Sequence, residues 1–394
     1  MQSVQGKAPD NRGWRSRHLL IGLLALVAAL ALAACGSDGG IEGSEVEEVE
    51  VSTAESTGDP SGKLYVANWP FYIDRKTVPE YEDTSGVSVK YIEEVNDNAE
   101  FFGKVQPLLE NGESGDRDVF VVTDWMAKKM YDLGYLQNFD KEAVEPAFGN
   151  LRESLQSVAI DPNRDYTIPW QSGMTGIVVD KTKAPDMTSI NDLFDPQYKG
   201  KVTILTEMRD TIPLLLKADG IEIEDATKED WEAQIQKLQE AADSGQIRRF
   251  TGNGYTRDIA NGDIVAAMGW SGDAVQLQAD NPDIEFVMPD EGCMLWSDNI
   301  VIPIGAPNPT AAYDFINYVY EPDNQAQITA YNNYVQPVEG VREIFEKEDP
   351  ALAESQLIFP DDEFTADCST QDAPPGGLEV EQDLERQFQA VITG

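Results

Sequence analysis

The chain has 394 residues, 25% charged and 41% hydrophobic, which suits two or three domains and is too polar for a protein with many membrane spans. Its 71 acidic and 29 basic residues give a net charge of −42, which would repel phosphate backbones and argues against nucleic-acid partners. A salt-adapted proteome would explain the same acidity without reference to a ligand. The single histidine, His18, lies in a segment that we expect to be removed, so histidine-based triads and metal sites are excluded and no cofactor or metal is expected.

The N-terminus has the pattern of a secretory signal. Arg12, Arg15 and Arg17 precede an apolar run at residues 19–34, which ends in Leu-Ala-Ala before Cys35. The run is sixteen residues long, short of the roughly 20 that cross a bilayer, so a spanning anchor is the weaker alternative. Leu-Ala-Ala-Cys resembles a bacterial lipobox, which implies a signal peptide at residues 1–34 and a lipid on Cys35. We therefore expect an extracytoplasmic protein, lipid-anchored to the outer face of the cytoplasmic membrane.

Residues 35–62 combine Gly-Ser pairs with an acidic stretch and contain few large apolar side chains. Such a segment cannot offset the entropy lost on ordering, so we expect the lipidated cysteine to be followed by a flexible acidic tether.

Two further cysteines, Cys293 and Cys368, follow in the body of the chain. An even pair outside the cell suggests one disulfide that ties the C-terminal segment to the body, although two separate buried thiols remain an alternative.

From Lys63 onward, short apolar strands alternate with amphipathic helices, which is typical of an α/β fold. We predict strands at residues 64–66, 87–92, 118–122 and 202–205, and helices at residues 99–109, 231–242 and 310–320. Asn308 is the expected N-cap of the last helix and Pro309 its first residue. A body of about 330 residues is large for one hydrophobic core, so two lobes are expected.

Aromatic residues and acids occur together where predicted strands end. Trp69, Trp125, Trp270 and Trp296 each stand beside turn residues or an acid. Ligands bind outside the carboxyl ends of strands in open α/β sheets, ammonium groups bind over aromatic faces, and carboxylates neutralise them. The combination indicates a cationic ligand with an apolar stem, although any one tryptophan could simply pack in the core.

Glu207 and Asp210 admit two interpretations. They lie three residues apart between a strand and the apolar segment 212–216, so a helix beginning near Thr206 would place both on one face. Alternatively, Asp210 is only the N-cap of that helix, and the spacing alone favours the cap.

The body of the chain resembles the periplasmic spermidine/putrescine-binding proteins of bacterial polyamine ABC importers. The resemblance rests on six stretches in the same order and separation: LYVANWPFYI (64–73), DVFVVTDW (118–125), DYTIPW (165–170), YKGK (198–201), MGWSGD (268–273) and EGCMLWSD (291–298).

The resemblance implies a ligand-binding set that combines aromatic walls with carboxylates. It consists of Trp69, Tyr72, Thr123, Trp125, Glu207, Asp210, Trp270, Asp273, Trp296, Asp298 and Tyr334, and Gln371 corresponds to a glutamine of spermidine binders. Glu207 and Asp210 would bind a terminal amine, which reverses the preference for the cap. Trp270 and Trp296 would enclose the methylene chain, while Asp273 and Asp298 would hold amine groups.

The resemblance also implies a two-lobe periplasmic-binding-protein fold, type II-like, with two crossings between the lobes. The first lobe would comprise residues 63–172 and 298–341, and the second residues 173–297 and 342–394. The implied function is capture of linear polyamines for an ABC permease by a monomer that is not an enzyme.

Three alternatives remain open. The site could bind another cationic solute, or a sensor or adhesin could use the same fold, since fold does not fix the partner. An extracellular glycoside hydrolase with paired carboxylates would also need no histidine.

Overall fold

The structure, a computed structural model, describes residues 51–394. The expected signal peptide, Cys35 and the first part of the tether lie outside the described residues. Among residues 51–394, no helix is both long enough and apolar enough to cross a membrane.

The described part contains twelve strands and thirteen α-helices. The strands are β1 (Thr53–Ala54), β2 (Lys63–Asn68), β3 (Ser88–Glu93), β4 (Val119–Thr123), β5 (Asn138–Phe139), β6 (Ile168–Asp180), β7 (Val202–Leu205), β8 (Ile247–Thr251), β9 (Ala266–Trp270), β10 (Ile284–Val287), β11 (Met294–Val301) and β12 (Ser369–Thr370). The helices are α1 (Thr77–Ser85), α2 (Asn98–Leu109), α3 (Asp124–Asp132), α4 (Lys141–Asn150), α5 (Met208–Ala218), α6 (Lys228–Ser244), α7 (Tyr255–Ala260), α8 (Ser271–Gln278), α9 (Pro309–Val319), α10 (Pro322–Asn332), α11 (Val341–Glu348), α12 (Pro350–Ala353) and α13 (Leu378–Thr393).

One curved sheet runs through the body in the order β3-β2-β4-β11-β6-β9-β7-β8. The first three strands are mutually parallel, as are the last three, and the antiparallel strands β6 and β11 connect the two groups. We call the β3-β2-β4 group with its helices the first lobe and the β9-β7-β8 group with its helices the second lobe.

The long strands β6 and β11 belong to both lobes because each changes its pairing partner along its length. Strand β11 pairs with β4 from Asp298 onward, and β6 pairs with β9 from Thr175 onward. Two strands therefore cross between the lobes, as expected for a two-lobe binding-protein fold. The predicted boundaries at residues 172/173 and 297/298 lie close to these changes of partner and stay predictions.

The local sequence signals predict two elements of the first lobe correctly. Strand β4 is buried at all five positions, as a parallel strand covered on both faces requires. The side chain of Asn308 accepts a hydrogen bond from the Ala311 N–H at 3.2 Å, and Pro309 is the first residue of α9. The predicted cap and its helix are thus confirmed.

The second part of the expected tether is folded, which corrects the predicted range 35–62. Strand β1 pairs with β5, the Tyr313 hydroxyl donates to the Ala54 carbonyl at 2.8 Å, and Ala54 is buried. The Asn138 N–H donates to the Ser52 carbonyl at 2.8 Å. Backbone hydrogen bonds and one small apolar side chain therefore attach residues 52–54 to the first lobe.

The C-terminal segment is attached at the start of β11. Cys293 and Cys368 are joined by a disulfide, and β12 pairs in parallel with β11 directly beside it. Gly292 adopts a φ of +91°, and a Cβ there would lie 1.8 Å from the carbonyl oxygen of Asp367. Only glycine allows this close approach of the two chain segments.

Candidate ligand-binding site

A small cavity lies between the two lobes. Its walls consist of Trp69, Tyr72, Asn98, Thr123, Glu207, Asp210, Asn253, Trp270, Trp296, Asp298, Tyr334 and Gln371. Nine of the eleven predicted site residues are in this set, together with Gln371. Among residues 51–394, the wall contains three carboxylates and no lysine or arginine side chain.

The carboxyl ends of parallel strands bring most of these side chains together. Trp69 follows β2, Thr123 ends β4, Glu207 follows β7 and Trp270 ends β9. Both lobes therefore present strand ends to one cleft, the usual position of ligands in open α/β sheets.

Strand β11 contributes two further wall residues, Trp296 and Asp298. They are two residues apart, so they project from the same face of the strand.

Glu207 occupies the N-cap position of α5, but its side chain makes no capping bond. Instead, Glu207 Oε1 accepts hydrogen bonds from the backbone N–H and the side-chain amide of Asn98, at 2.6 and 3.0 Å. Asp210 lies in the first helical turn, so its interpretation as a simple N-cap is wrong. Burial, and after it the charge of Asp97, raise the pKa of Glu207 well above its usual range.

Asp210 faces three hydrogen-bond donors. The Gln371 amide donates to it at 2.6 Å, the Thr175 hydroxyl at 2.9 Å and the Trp270 indole at 3.2 Å. Burial raises the pKa of Asp210 to about 6, although these three hydrogen bonds lower it. The carboxylate is thus held in place while its charge lacks a cationic partner among the wall residues.

Asp298 lies at the first-lobe side of the cavity. The hydroxyls of Tyr72 and Thr123 each donate to it at 2.7 Å. Burial raises the pKa of Asp298 to about 7, although both hydrogen bonds lower it. A positive ligand group beside this carboxyl would favour its ionised form.

Asp273 does not line the cavity, and its predicted contact with the ligand stays a prediction. It accepts hydrogen bonds from the hydroxyls of Tyr255 and Tyr334, at 2.7 and 2.9 Å, and from the Asn253 amide at 3.0 Å. Since Tyr334 and Asn253 are wall residues, Asp273 orients the wall from behind.

Trp125 is the second predicted site residue that lies outside the cavity wall. It is absent from the cavity wall, and its ring packs instead against the guanidinium of Arg209, 4.5 Å from carbon to ring centroid. Helix α3 begins at Asp124, and each helical residue is rotated by about 100° from the one before it. Trp125 is two positions after Thr123, so its side chain lies outside the cavity.

The aromatic walls form two edge-to-face pairs. Trp69 meets Trp270 at a centroid distance of 5.9 Å, and Trp296 meets Tyr334 at 5.3 Å. A Cβ on Gly173 would lie 2.5 Å from the Trp296 ring, so this glycine in β6 provides the space that the indole fills.

Two wall residues, Asn98 and Asn253, are missing from the predicted set. Asn98 is the first residue of α2, and the sequence offered only a helix start at that point. Its partner Glu207 is 109 positions away, so no local pattern could have indicated their contact.

The fold and the site agree with what comparison with known proteins finds. The profile of the bacterial extracellular solute-binding proteins matches residues 76–354, more than half of the chain. The chain belongs to this family. It is therefore an extracytoplasmic solute-binding protein and not an enzyme, which rejects the glycoside hydrolase alternative.

The individual relatives have low sequence identity to this chain. The spermidine/putrescine-binding periplasmic protein of Escherichia coli K12 is 28% identical over 308 residues, 77% of this chain and 85% of the relative. The putrescine/agmatine-binding protein of Pseudomonas aeruginosa is 25% identical over 363 residues, 87% of this chain and 95% of the relative. A solved Listeria monocytogenes protein, described provisionally as a spermidine/putrescine ABC transporter, superposes with a TM-score of 0.74 at 26% identity, covering 84% of this chain and 98% of its own.

Proposed function

We propose that this protein captures a protonated linear polyamine outside the cell and delivers it to the permease of an ABC importer. The observation that carries the proposal is the composition of the cavity wall. Glu207, Asp210 and Asp298 are buried there among aromatic rings, and in the described part of the chain no basic side chain lines the wall to neutralise them. The names of the relatives from Escherichia coli and Pseudomonas aeruginosa point to the same ligand class.

The physical argument begins with the cost of burying charge. A primary amine with a free pKa of about 10.4 stays protonated at neutral pH, and its desolvation is costly unless carboxylates replace the lost water. Three wall carboxylates suit a ligand with two or three ammonium groups. Each ammonium over an indole face would gain roughly 0.5 to 2 kcal/mol, depending on its desolvation.

The same wall supports discrimination among cations. The tryptophans offer apolar surface to a methylene chain, which Na⁺ and K⁺ lack. An amino acid would bring its own carboxylate towards Glu207, Asp210 or Asp298, and the like charges would repel. The site would therefore select a polyamine by its apolar methylene stem and by the positive charges at its two ends.

The proposal includes the attachment and the assembly of the protein. We infer that Cys35 carries a lipid, that this lipid holds the protein at the outer face of the cytoplasmic membrane, and that the folded body is a monomer. The lipobox-like sequence before Cys35 supports the anchor. Mass spectrometry of the membrane-extracted protein would test it, because an unmodified Cys35 would reject the anchor and leave the ligand proposal intact.

A ligand screen of the folded body tests the function. Thermal shift and calorimetry should show binding of putrescine or spermidine, since a ligand that binds only the folded state raises its melting temperature. The matched control is an alkanediol of the same chain length, which keeps the stem and removes the charges, and it should not bind. Binding of the diol, of amino acids or of sugars in preference to the polyamines would reject the proposal.

A further inference from the structure

We propose that Trp125 is a positioning residue that holds the two lobes together through Arg209 without touching the ligand. Trp125 lies in α3, which follows β4 of the first lobe, whereas Arg209 lies in α5, which follows β7 of the second lobe. The guanidinium carbon lies 4.5 Å from the centroid of the Trp125 ring, within the range of a cation–π contact. The contact therefore joins the lobes outside the ligand cavity.

Contacts within the second lobe fix the guanidinium in place. Arg209 is buried, and its Nη2 donates to Glu381 of α13 at 2.5 Å. Its Nη1 donates to the Gln371 carbonyl at 3.3 Å. Helix α13 is itself attached to α6 by an ion pair between Lys228 and Asp383 at 2.8 Å. Because the cation is desolvated and already oriented, its contact with the indole is stronger than one on an exposed surface.

A second contact, between α3 and α13, lies one helical turn further along. Lys129 of α3 and Glu385 of α13 form an ion pair at 3.4 Å. Trp125 and Lys129 are four residues apart, as are Glu381 and Glu385, so each pair lies on one helix face. Both charges of the ion pair are partly exposed, and such pairs contribute little. The Trp125–Arg209 contact is therefore the main element of this clamp.

The clamp is coupled to the ligand cavity through α5. Glu207, two residues before Arg209, lines both the ligand cavity and the small chamber that contains Trp125 and Arg209. The hydrogen bonds of Glu207 to Asn98 also join the two lobes. The contact of Arg209 with Trp125 and the complete cavity wall are thus present together in this structure. The chamber is a poor site for a further ammonium group, because the ligand would meet the guanidinium there.

Burial of the wall shows why the clamp matters for binding. All wall residues except Gln371 are buried, so a ligand enters or leaves only when the lobes separate. A contact that exists only when the lobes are together favours that state and slows ligand release. Loss of the clamp should act on dissociation more than on association.

The test compares Trp125→Ala with Tyr131→Ala. Tyr131 is also a half-buried aromatic residue of α3, but it stacks on Tyr166 at 3.7 Å within the first lobe. Trp125→Ala should raise the polyamine dissociation rate about 3- to 30-fold, and Trp125→Phe should restore most of the loss because it keeps a ring face. Tyr131→Ala should lower the melting temperature without changing the dissociation rate.

A distance between the lobes provides the readout that separates clamping from ligand contact. Spin labels at Asp83→Cys in the first lobe and Glu240→Cys in the second, in a chain with Cys35→Ala, report that distance with and without polyamine. Trp125→Ala should shift the distances to longer values in both conditions. Faster dissociation with unchanged distances would mean that Trp125 touches the ligand, and equal effects of Trp125→Ala and Tyr131→Ala would mean a merely structural role. Either result overturns the proposal.

The inference rests in part on the proposed function, and the two can fail separately. If the unsubstituted protein binds no polyamine, the proposed ligand is wrong. The distances without ligand still test the clamp in that case, and an unchanged distribution in Trp125→Ala would overturn it.

Discussion

Replacement of Asp298 by asparagine tests the electrostatic basis of the site. The substitution removes a charge, keeps the size of the side chain and retains an oxygen that can accept from Tyr72 or Thr123. Removing one partner of a buried, hydrogen-bonded charge pair costs about 2 to 5 kcal/mol. Because one hydrogen bond can survive, we expect the lower half of that range, about 30- to 300-fold weaker polyamine binding.

Isothermal titration calorimetry of putrescine and spermidine measures this loss directly. The matched control is Asp118→Asn. Asp118 is also buried, its pKa is also raised by burial to about 6, and it accepts hydrogen bonds from the Tyr65 and Asn308 N–H groups away from the cavity. The control should lower the melting temperature and leave the affinity unchanged. An Asp298→Asn protein that is folded and binds within threefold of the unsubstituted protein would refute the assignment of Asp298 to an ammonium group.

Three further predictions concern the cavity, its protons and the disulfide. Gly173→Ala should push the Trp296 ring out of place and weaken polyamine binding at least tenfold, and a normal affinity would contradict the packing described here. Since the ligand favours ionised Asp298, the affinity for the ligand should fall as the pH drops below about 7. The free energy of unfolding should change in the opposite direction and fall as the pH rises towards 7, because the folded state holds the Asp298 proton more tightly than the unfolded state does. Both trends should weaken in Asp298→Asn, as titrations and denaturant melts at several pH values would show. The Cys293–Cys368 disulfide joins residues 75 positions apart, and its reduction should lower the free energy of unfolding by about 2 to 5 kcal/mol. Thiol labelling that finds both cysteines free before reduction would reject the bond.

The parts of the fold that the sequence predicts well are those with strong local signals. Strand β4 reads as an uninterrupted apolar run because both of its faces are covered, and α9 is marked by an N-cap followed by a proline. The site residues at strand ends were also accessible, since the position of a ligand at these ends follows from the fold class.

Two predicted site residues lie outside the cavity wall, because the position of a side chain depends on helix rotation and on distant contacts. Trp125 and Thr123 are two residues apart, yet only Thr123 reaches the cavity, because α3 starts between them. Asp273 likewise acts through Tyr334 rather than at the wall. Sequence order does not contain these rotations, and the resemblance placed both Trp125 and Asp273 in the ligand-binding set.

The tether boundary was missed for a different physical reason. Strand β1 has only two residues, too few for any hydrophobic periodicity, and its pairing partner β5 lies far along the chain. Its order comes from backbone hydrogen bonds and from the burial of Ala54, neither of which leaves a compositional signal.

The pairing of β1 with β5 has a practical consequence for recombinant work. A truncated protein started at Lys63, where composition suggests that folding begins, would leave the Tyr313 hydroxyl without its acceptor and expose the surface that Ala54 covers. Expression boundaries for crystallisation or biosensor design should therefore lie upstream of residue 51, and poor yield from a shorter clone would reflect the missing strand rather than an unstable binding pocket.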